Sequence, residues 1–210
     1  EQEAKTIDEI QKGILAISEK EEPFDVFICY KESDENNDRT LDSVLAQDLY
    51  DELVKEGYKV FFSRITLEDK LGTEYEPYIF AALNSAKVML AFGTDYEYFH
   101  AVWVKNEWSR FLKIMAKSED KYLIPCYKDI DAYDMPKEFA KLQAQDMGKI
   151  GAMQDLIRGV DKLFGKDKVT PTEPMVSVPQ VQRSSLDTKI DRGMMSLEDG
   201  VFDEAQKLFN

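Results

Sequence analysis

Between residues 24 and 127 the chain alternates short apolar runs with amphipathic stretches, and few architectures accept that alternation. Phe24–Tyr30 (FDVFICY), Tyr58–Phe62 (YKVFF), Lys87–Phe92 (KVMLAF) and Tyr122–Tyr127 (YLIPCY) are short, aromatic and β-branched, which predicts strands. Thr40–Glu56 carries Leu41, Val44, Leu45, Leu49 and Leu53 at helical spacing and stops at Gly57. Glu74–Ala86 reads as a second helix, with Pro77 tolerated in its first turn. After a turn at Gly93 comes Ala101–Lys117, with Trp103, Trp108, Phe111, Leu112 and Met115, and then Gly151–Phe164, with Leu156, Ile157, Val160, Leu163 and Phe164 turned inward. Residues 31–39 and 63–73 are polar loops, and 129–146 is irregular, broken at Met135-Pro136. Strands and helices that alternate through short connections predict an α/β fold, a parallel sheet with helices on both faces.

The flanks differ. Residues 1–22 are charged, with Ile7, Ile10, Ile14, Leu15 and Ile17 at roughly helical spacing, which predicts a lead-in helix ending near Pro23. Residues 165–185 hold Pro171, Pro174 and Pro179, three of the seven prolines, and read as a semi-extended linker. Over 186–210 a helical pattern resumes around Asp199-Gly200. A helical hairpin of that size cannot bury its own apolar face and needs a stacked neighbour. The chain opens on Glu1 rather than Met and reads as a piece of a longer protein.

Charge and rare residues exclude whole classes of function. Acids outnumber Lys plus Arg by 41 to 27, a net charge of −14, which argues against nonspecific nucleic-acid binding and against docking on an anionic membrane. The longest apolar runs, such as Val88–Phe92, fall far short of the ~20 residues of a membrane span. Two cysteines and one histidine are too few for a four-ligand zinc site, so no metal centre is expected. Cys29 and Cys126 lie in apolar runs and read as buried thiols rather than a disulfide, which fits a reducing, cytoplasmic setting. A phosphate-binding Gly-x-x-x-x-Gly-Lys-Ser/Thr loop, a Gly-x-Gly-x-x-Gly turn and a Gly-x-Ser-x-Gly elbow are all missing. His100 reads as a surface residue at a helix start.

In an open parallel sheet, ligands bind beyond the carboxyl ends of the strands, where strand order reverses. Tyr30, Lys31 and Glu32 follow the first strand, Ser63, Arg64 and the loop to Gly72 follow the second, and Gly93 and Thr94 follow the third. Trp103 and Glu107 stand at i and i+4 on the next helix, one turn apart on one face. An indole beside a carboxylate suits a ribose-linked aromatic cation: the ring stacks, and the carboxylate holds vicinal hydroxyls or an oxocarbenium-like transition state. Taken alone, such a pair is more often a core indole beside a solvated carboxylate. Lys31 and Arg64 favour an anionic pyrophosphate nearby, or are simply loop cations.

These residues together resemble a Toll/interleukin-1 receptor (TIR) domain over about 23–164. The resemblance rests on Phe24–Tyr30 as the opening strand, with Cys29 where the family often has Ser. It rests also on Gly57-Tyr-Lys-Val-Phe-Phe62 leading into a long "BB loop" through Gly72, on Trp103-Val-Lys-Asn-Glu107 as Trp-x-x-x-Glu, and on Leu123-Ile-Pro125. The whole is most similar to bacterial members that cleave NAD+. The resemblance implies a flavodoxin-like three-layer fold. It also implies an NAD+ nucleosidase or ADP-ribosyl cyclase that releases nicotinamide and ADP-ribose or a cyclic isomer. Carried over by position, Glu107 is the catalytic carboxylate, and Tyr30, Lys31, Ser63, Arg64, Gly72 and Trp103 bind substrate. Ser63 and Arg64 depart from the acidic residue the family often has at that point. NAD+ is then a substrate, with no retained cofactor. The site is completed by self-assembly through TIR–TIR contacts, in a setting of bacterial antiphage defence. The alternative is a noncatalytic TIR–TIR interaction module, and a weaker third reading is a nucleobase-exchanging transferase. Residues 187–209, with Gly193, Leu197, Gly200, Phe202, Ala205 and Phe209, resemble the start of a tetratricopeptide repeat cut off inside an array, a possible surface for a protein partner.

Overall fold

The computed structural model describes residues 12–16, 22–63 and 76–166. All of them belong to the first of the two units into which the chain divides, Glu1–Asp167. Residues 12–16 are helical, within the expected lead-in helix. The linker 165–185 lies almost wholly, and the helical hairpin 186–210 wholly, outside the described residues.

Five parallel strands form one sheet in the order β2-β1-β3-β4-β5. They are β1 (Val26–Cys29), β2 (Val60–Phe62), β3 (Val88–Gly93), β4 (Tyr122–Tyr127) and β5 (Gln145–Asp146). Helices α1 (Leu41–Lys55), α2 (Glu76–Ser85), α3 (Tyr96–His100), α4 (Val102–Met115) and α5 (Ala152–Leu163) connect or follow them. This is the flavodoxin-like order, with its reversal between β1 and β3. Every residue of β1, β2 and β3 is buried, so these strands read as continuous apolar runs, as strands covered on both faces must.

Side chains of a strand alternate between faces, and here each face has its own core. Phe27, Cys29, Phe61, Met89 and Ala91 pack with Tyr78, Ile79, Ala82 and Leu83 of α2, Phe99 of α3, and Val104, Trp108 and Phe111 of α4. Val26, Ile28, Val60, Phe62, Val88, Leu90 and Phe92 pack with Ala46, Leu49 and Leu53 of α1 and Ala152, Leu156 and Val160 of α5. The parity of β1 therefore turns Cys29 toward α4 and Ile28 toward α1.

Local chemistry fixes the element ends. Thr40 caps α1: its Oγ1 accepts from the Ser43 amide at 3.1 Å and donates to the Lys31 carbonyl. One residue thus starts the helix and ties down the loop after β1. At the other end Gly57 takes φ +82°, and the amides of Tyr58 and Gly57 donate to Leu53 and Val54 carbonyls at 3.1 and 3.0 Å, a Schellman closure. At Gly93 a Cβ would stand 2.2 Å from the Phe99 ring, so only glycine lets α3 fold back over the end of β3.

Two expectations need correction. The stretch 129–146 is more ordered than its composition implies, with single 3-10 turns at Ala132–Asp134 and Lys137–Phe139 and then β5. Phe139 packs edge-on against Trp108 and Phe99, with centroids 5.0 and 5.6 Å away. β5 has two polar residues and no apolar period, so nothing in its side chains announces a strand; its pairing with Cys126 and Tyr127 makes it one. Helix α3 was not expected either. Asp95 caps it by accepting from the Glu97 amide at 2.8 Å. His100 accordingly ends α3 rather than starting a helix. Its ring lies 4.5 Å from that of Tyr96, and its Nε2 is buried with no hydrogen-bond partner among the described residues. Among the described residues no helix is long and apolar enough to cross a membrane.

Candidate functional site

A cavity of about 540 Å³ opens beyond the carboxyl ends of β1 and β2. Tyr30, Lys31, Glu32 and Ser33 form one wall, Ser63 and Ile79 close a second side, and Ala101, Val102, Trp103, Val104 and Glu107 form the third. Five of the residues expected from sequence, Tyr30, Lys31, Ser63, Trp103 and Glu107, thus share one cavity. Arg64 and Gly72 lie outside the described residues, as does the loop between them. Gly93 and Thr94 do not line the cavity; the Thr94 amide is instead held by the Asp42 carboxylate at 2.7 Å.

Helix α4 sets the Trp103–Glu107 pair. Val104, Trp108 and Phe111 fill its buried stripe, and the Trp108 indole donates to the Phe99 carbonyl at 2.9 Å, which locks the helix against rolling. With that stripe fixed, Trp103 stands at the cavity edge, 58% exposed, beside Val102 at 73%. One turn on, the Glu107 carboxyl turns inward. The reading of a core indole beside a solvated carboxylate is not met here: the indole is exposed and Glu107 is half-buried on the cavity wall.

Burial makes Glu107 an unusual acid. Desolvation raises its pKa from 4.5 to about 7, opposed by a hydrogen bond with the Cys29 thiol. The Cys29 side chain is fully buried, and its thiol is pushed well up by burial and then by the Glu107 carboxyl. It stays a neutral donor, also within 3.5 Å of the Val104 carbonyl. Cys126 is buried too, and both cysteines are free thiols, as their apolar surroundings imply.

On the opposite wall the Tyr30 ring stacks on Phe62 at 4.9 Å, and Ser63 Oγ donates to the Tyr30 hydroxyl at 3.3 Å. β1 and β2 thereby hold each other's following residues in register. Lys31 is fixed through its carbonyl, held by Thr40.

Sequence reasoning placed Glu32 among the strand-end residues without giving it a role, and did not single out Asp42. Glu32 Oε2 is buried without a hydrogen-bond partner among the described residues, and its Oε1 stands 4.0 Å from Arg39 Nε. Asp42 is fully buried in the first turn of α1, and burial raises its pKa to about 6 against hydrogen bonds with Thr94 and the Lys31 backbone. The available signal for Asp42 was an acid directly after a Thr cap and before an apolar helix, a pattern that a solvated first-turn acid shares. For Glu32 the signal was only its place after the first strand.

The family model described as the TIR domain matches residues 26–163. No curated protein matches the chain. Among solved structures, a metazoan TIR-STING receptor from C. gigas, in complex with 2',3'-cGAMP, is 16% identical over 65% of this chain, with a TM-score of 0.48. This chain spans 39% of that receptor's length. The TIR domains of the activated Roq1 resistosome, which directly recognizes the pathogen effector XopQ, are also 16% identical, over 68% of this chain and 78% of theirs, with a TM-score of 0.40. The family match runs from the first strand to the last described helix and takes in every element that builds the cavity: the chain belongs to the TIR domain family.

Proposed function

We propose that this TIR domain cleaves the nicotinamide–ribose bond of NAD+, with Glu107 as the catalytic carboxylate. The observation that carries the reading is a buried, weakly partnered carboxyl in a cavity with an exposed indole at its edge. Trp103 offers a face for the nicotinamide ring, and Lys31 a cation for the pyrophosphate.

The bond between the ribose C1′ and the pyridinium nitrogen breaks heterolytically. Its electron pair goes to the nitrogen, nicotinamide leaves neutral, and positive charge grows on C1′ and the ring oxygen. An ionised Glu107, its carboxyl shielded from bulk water, stabilises that charge more than it would in water. Water then adds to C1′ and loses a proton, giving ADP-ribose; an adenine nitrogen of the same molecule in its place gives a cyclic isomer. The proposal includes assembly: TIR–TIR contacts complete the site, so turnover rises faster than linearly with protein concentration.

A second reading is a noncatalytic interaction module, favoured by the bare apolar surface of Val102 and Trp103. One experiment separates the two. The full chain at high concentration is incubated with NAD+, with Glu107→Gln beside it, and products are resolved by chromatography and mass spectrometry. Nicotinamide release that disappears in the variant supports the enzyme, and the accompanying product decides between hydrolase and cyclase. No release from a folded, assembled protein supports the module.

A further inference from the structure

We propose that copies of this chain dock head to tail, the exposed acidic stripe of α1 on one copy seating on the lysine-bearing apolar groove beside α5 on the next. The inference rests on the reading of the protein as one that assembles, and it names the two surfaces.

Charge divides the chain. Residues 22–63, which supply β1, α1 and β2, hold eleven acids against Lys31, Arg39, Lys55 and Lys59. Residues 76–166 hold thirteen acids and thirteen Lys plus Arg. β2 lies at one edge of the sheet and β5 at the other, so one flank carries the excess acid and the opposite flank is balanced.

The acidic flank presents a mixed helix face. Ala46, Leu49 and Leu53 turn α1 onto the sheet. Away from them Leu41, Val44, Asp48 and Asp51 recur at i, i+3, i+7 and i+10, all exposed, and Val54 extends the row. A helix face that meets only water is polar along its length. This one sets two acids among three branched apolar side chains.

At the far edge β5 pairs only with Cys126 and Tyr127 among the described residues, which leaves the first half of β4 open. A groove of about 540 Å³ lies there, with Tyr122 and Leu123 of β4, Leu142, and Leu163 of α5 in its walls. Lys121 and the exposed Lys141 also line it, and Lys121 Nζ donates to the Asn84 carbonyl at 2.9 Å. Asp155, the acid of the lining, is paired with Arg158. Apolar surface with a positive bias matches the α1 stripe in both respects. Two α1 stripes repel one another, so a symmetric pairing through them is disfavoured. Contact between two different surfaces leaves one of each exposed at the ends, and the assembly grows.

The full chain is prepared as wild type, as the double variant Asp48→Lys with Asp51→Lys, and as Gly159→Tyr. Gly159 lines the groove, and a Cβ there meets nothing within 4 Å, so the tyrosine fills the groove without straining α5. Lys is a better helix former than Asp, so α1 keeps its fold as well, and circular dichroism checks both variants. Mass is followed by sedimentation across protein concentration, with and without added salt. Wild type is expected to grow past the dimer without a plateau, and to grow less in high salt. Each variant alone is expected to need at least about tenfold more protein to associate. Their equimolar mixture is expected to stop at a heterodimer, because one intact stripe and one intact groove remain. A wild type that plateaus at the dimer, folded variants that associate as wild type does, or a mixture that stays monomeric overturns the proposal. A wild type that stays monomeric assigns the groove to another partner and overturns it too. Sedimentation uses no NAD+. Assembly as described without nicotinamide release sinks the proposed activity and leaves the contact standing; release from variants of unchanged mass does the reverse.

Discussion

Two carboxyls near the carboxyl edge of one sheet are withdrawn from bulk water in opposite ways, Asp42 fully buried and Glu107 half-buried on a cavity wall. Asp42, at the start of α1, accepts from the Thr94 amide through Oδ1 at 2.7 Å, so it ties the loop after β3 to α1, while its Oδ2 is buried without a hydrogen-bond partner among the described residues. Glu107, on α4, has no backbone donor among the described residues and lines the cavity beside a thiol. Burial raises both pKa values, to about 6 and about 7. Asp42 does not line the cavity, so its second oxygen meets no ligand there, whereas Glu107 lines the cavity with only a thiol beside its carboxyl. The contrast marks Asp42 as structural and supports the proposal that Glu107 is the chemical acid.

The largest test of that contrast is turnover. Glu107→Gln is expected to remove at least 10²–10³-fold of the NAD+-cleaving rate, the scale of losing one preorganised electrostatic group. Asp42→Asn keeps the side-chain carbonyl that faces Thr94 and is expected to retain activity within about tenfold. Equal losses in the two variants, measured by nicotinamide release, would erase the distinction. In the proposed mechanism Glu107 works ionised, so kcat/KM is expected to climb as pH rises through about 7, the value toward which burial raises it. A flat profile between pH 6 and 8 breaks the assignment.

The next effect is on stability, and its sign is opposite to intuition. Glu107 has a folded pKa above its unfolded one, so between about 4.5 and 7 the folded protein binds more protons than the unfolded chain. Stability from this group is complete below 4.5 and falls as pH rises through 7, by about 3 kcal/mol for a shift of this size. Glu107→Gln does not titrate. It is expected to be more stable than wild type at pH 8, with the difference closing at pH 5. A constant difference in denaturant midpoint across that range would show that the carboxyl is not buried as described.

How much of this could be read from the sequence follows from the physics of each signal. Strands β1, β2 and β3 were legible because burial on both faces demands unbroken apolar runs, β4 because it is short and aromatic, and α1 because Thr40 and Gly57 bracket its periodicity. The convergence of Tyr30, Lys31, Ser63, Trp103 and Glu107 followed from one topological rule about strand ends. What stayed hidden depended on tertiary partners. β5 exists through its ladder with β4, and α3 through its fold-back over Gly93. The exposure of Trp103 and the place of Glu107 on the cavity wall depend on how α4 rolls, which the anchor from Trp108 to Phe99 decides. Periodicity alone could not tell which of the two tryptophans faces the core.

Removing the anchor of Asp42 is the next smaller effect. Asp42→Ala strips the Thr94 amide of its partner in a buried setting and is expected to cost about 1–3 kcal/mol. Asp42→Asn is expected to cost less, since its carbonyl still accepts. Urea unfolding monitored by circular dichroism gives both values, and an Asp42→Ala cost below about 0.5 kcal/mol would make this acid dispensable to the fold.

The smallest stability effect belongs to Trp103, and it sharpens the comparison most. The two tryptophans of the chain stand five residues apart on α4. Trp108 is 1% exposed and packs on Phe139, so truncating it is expected to cost about 3–5 kcal/mol. Trp103 is 58% exposed, and Trp103→Ala is expected to leave stability within about 0.5 kcal/mol of wild type. A large apolar ring left in water by the fold has its use outside the fold. If the ring stacks on nicotinamide, Trp103→Ala raises KM for NAD+ in a protein whose unfolding curve is unchanged. If it serves contacts between copies, the same variant leaves KM alone and weakens the dependence of turnover on protein concentration. A drop in stability comparable to that of Trp108 would place the ring in the core after all and return the Trp103–Glu107 pair to ordinary packing.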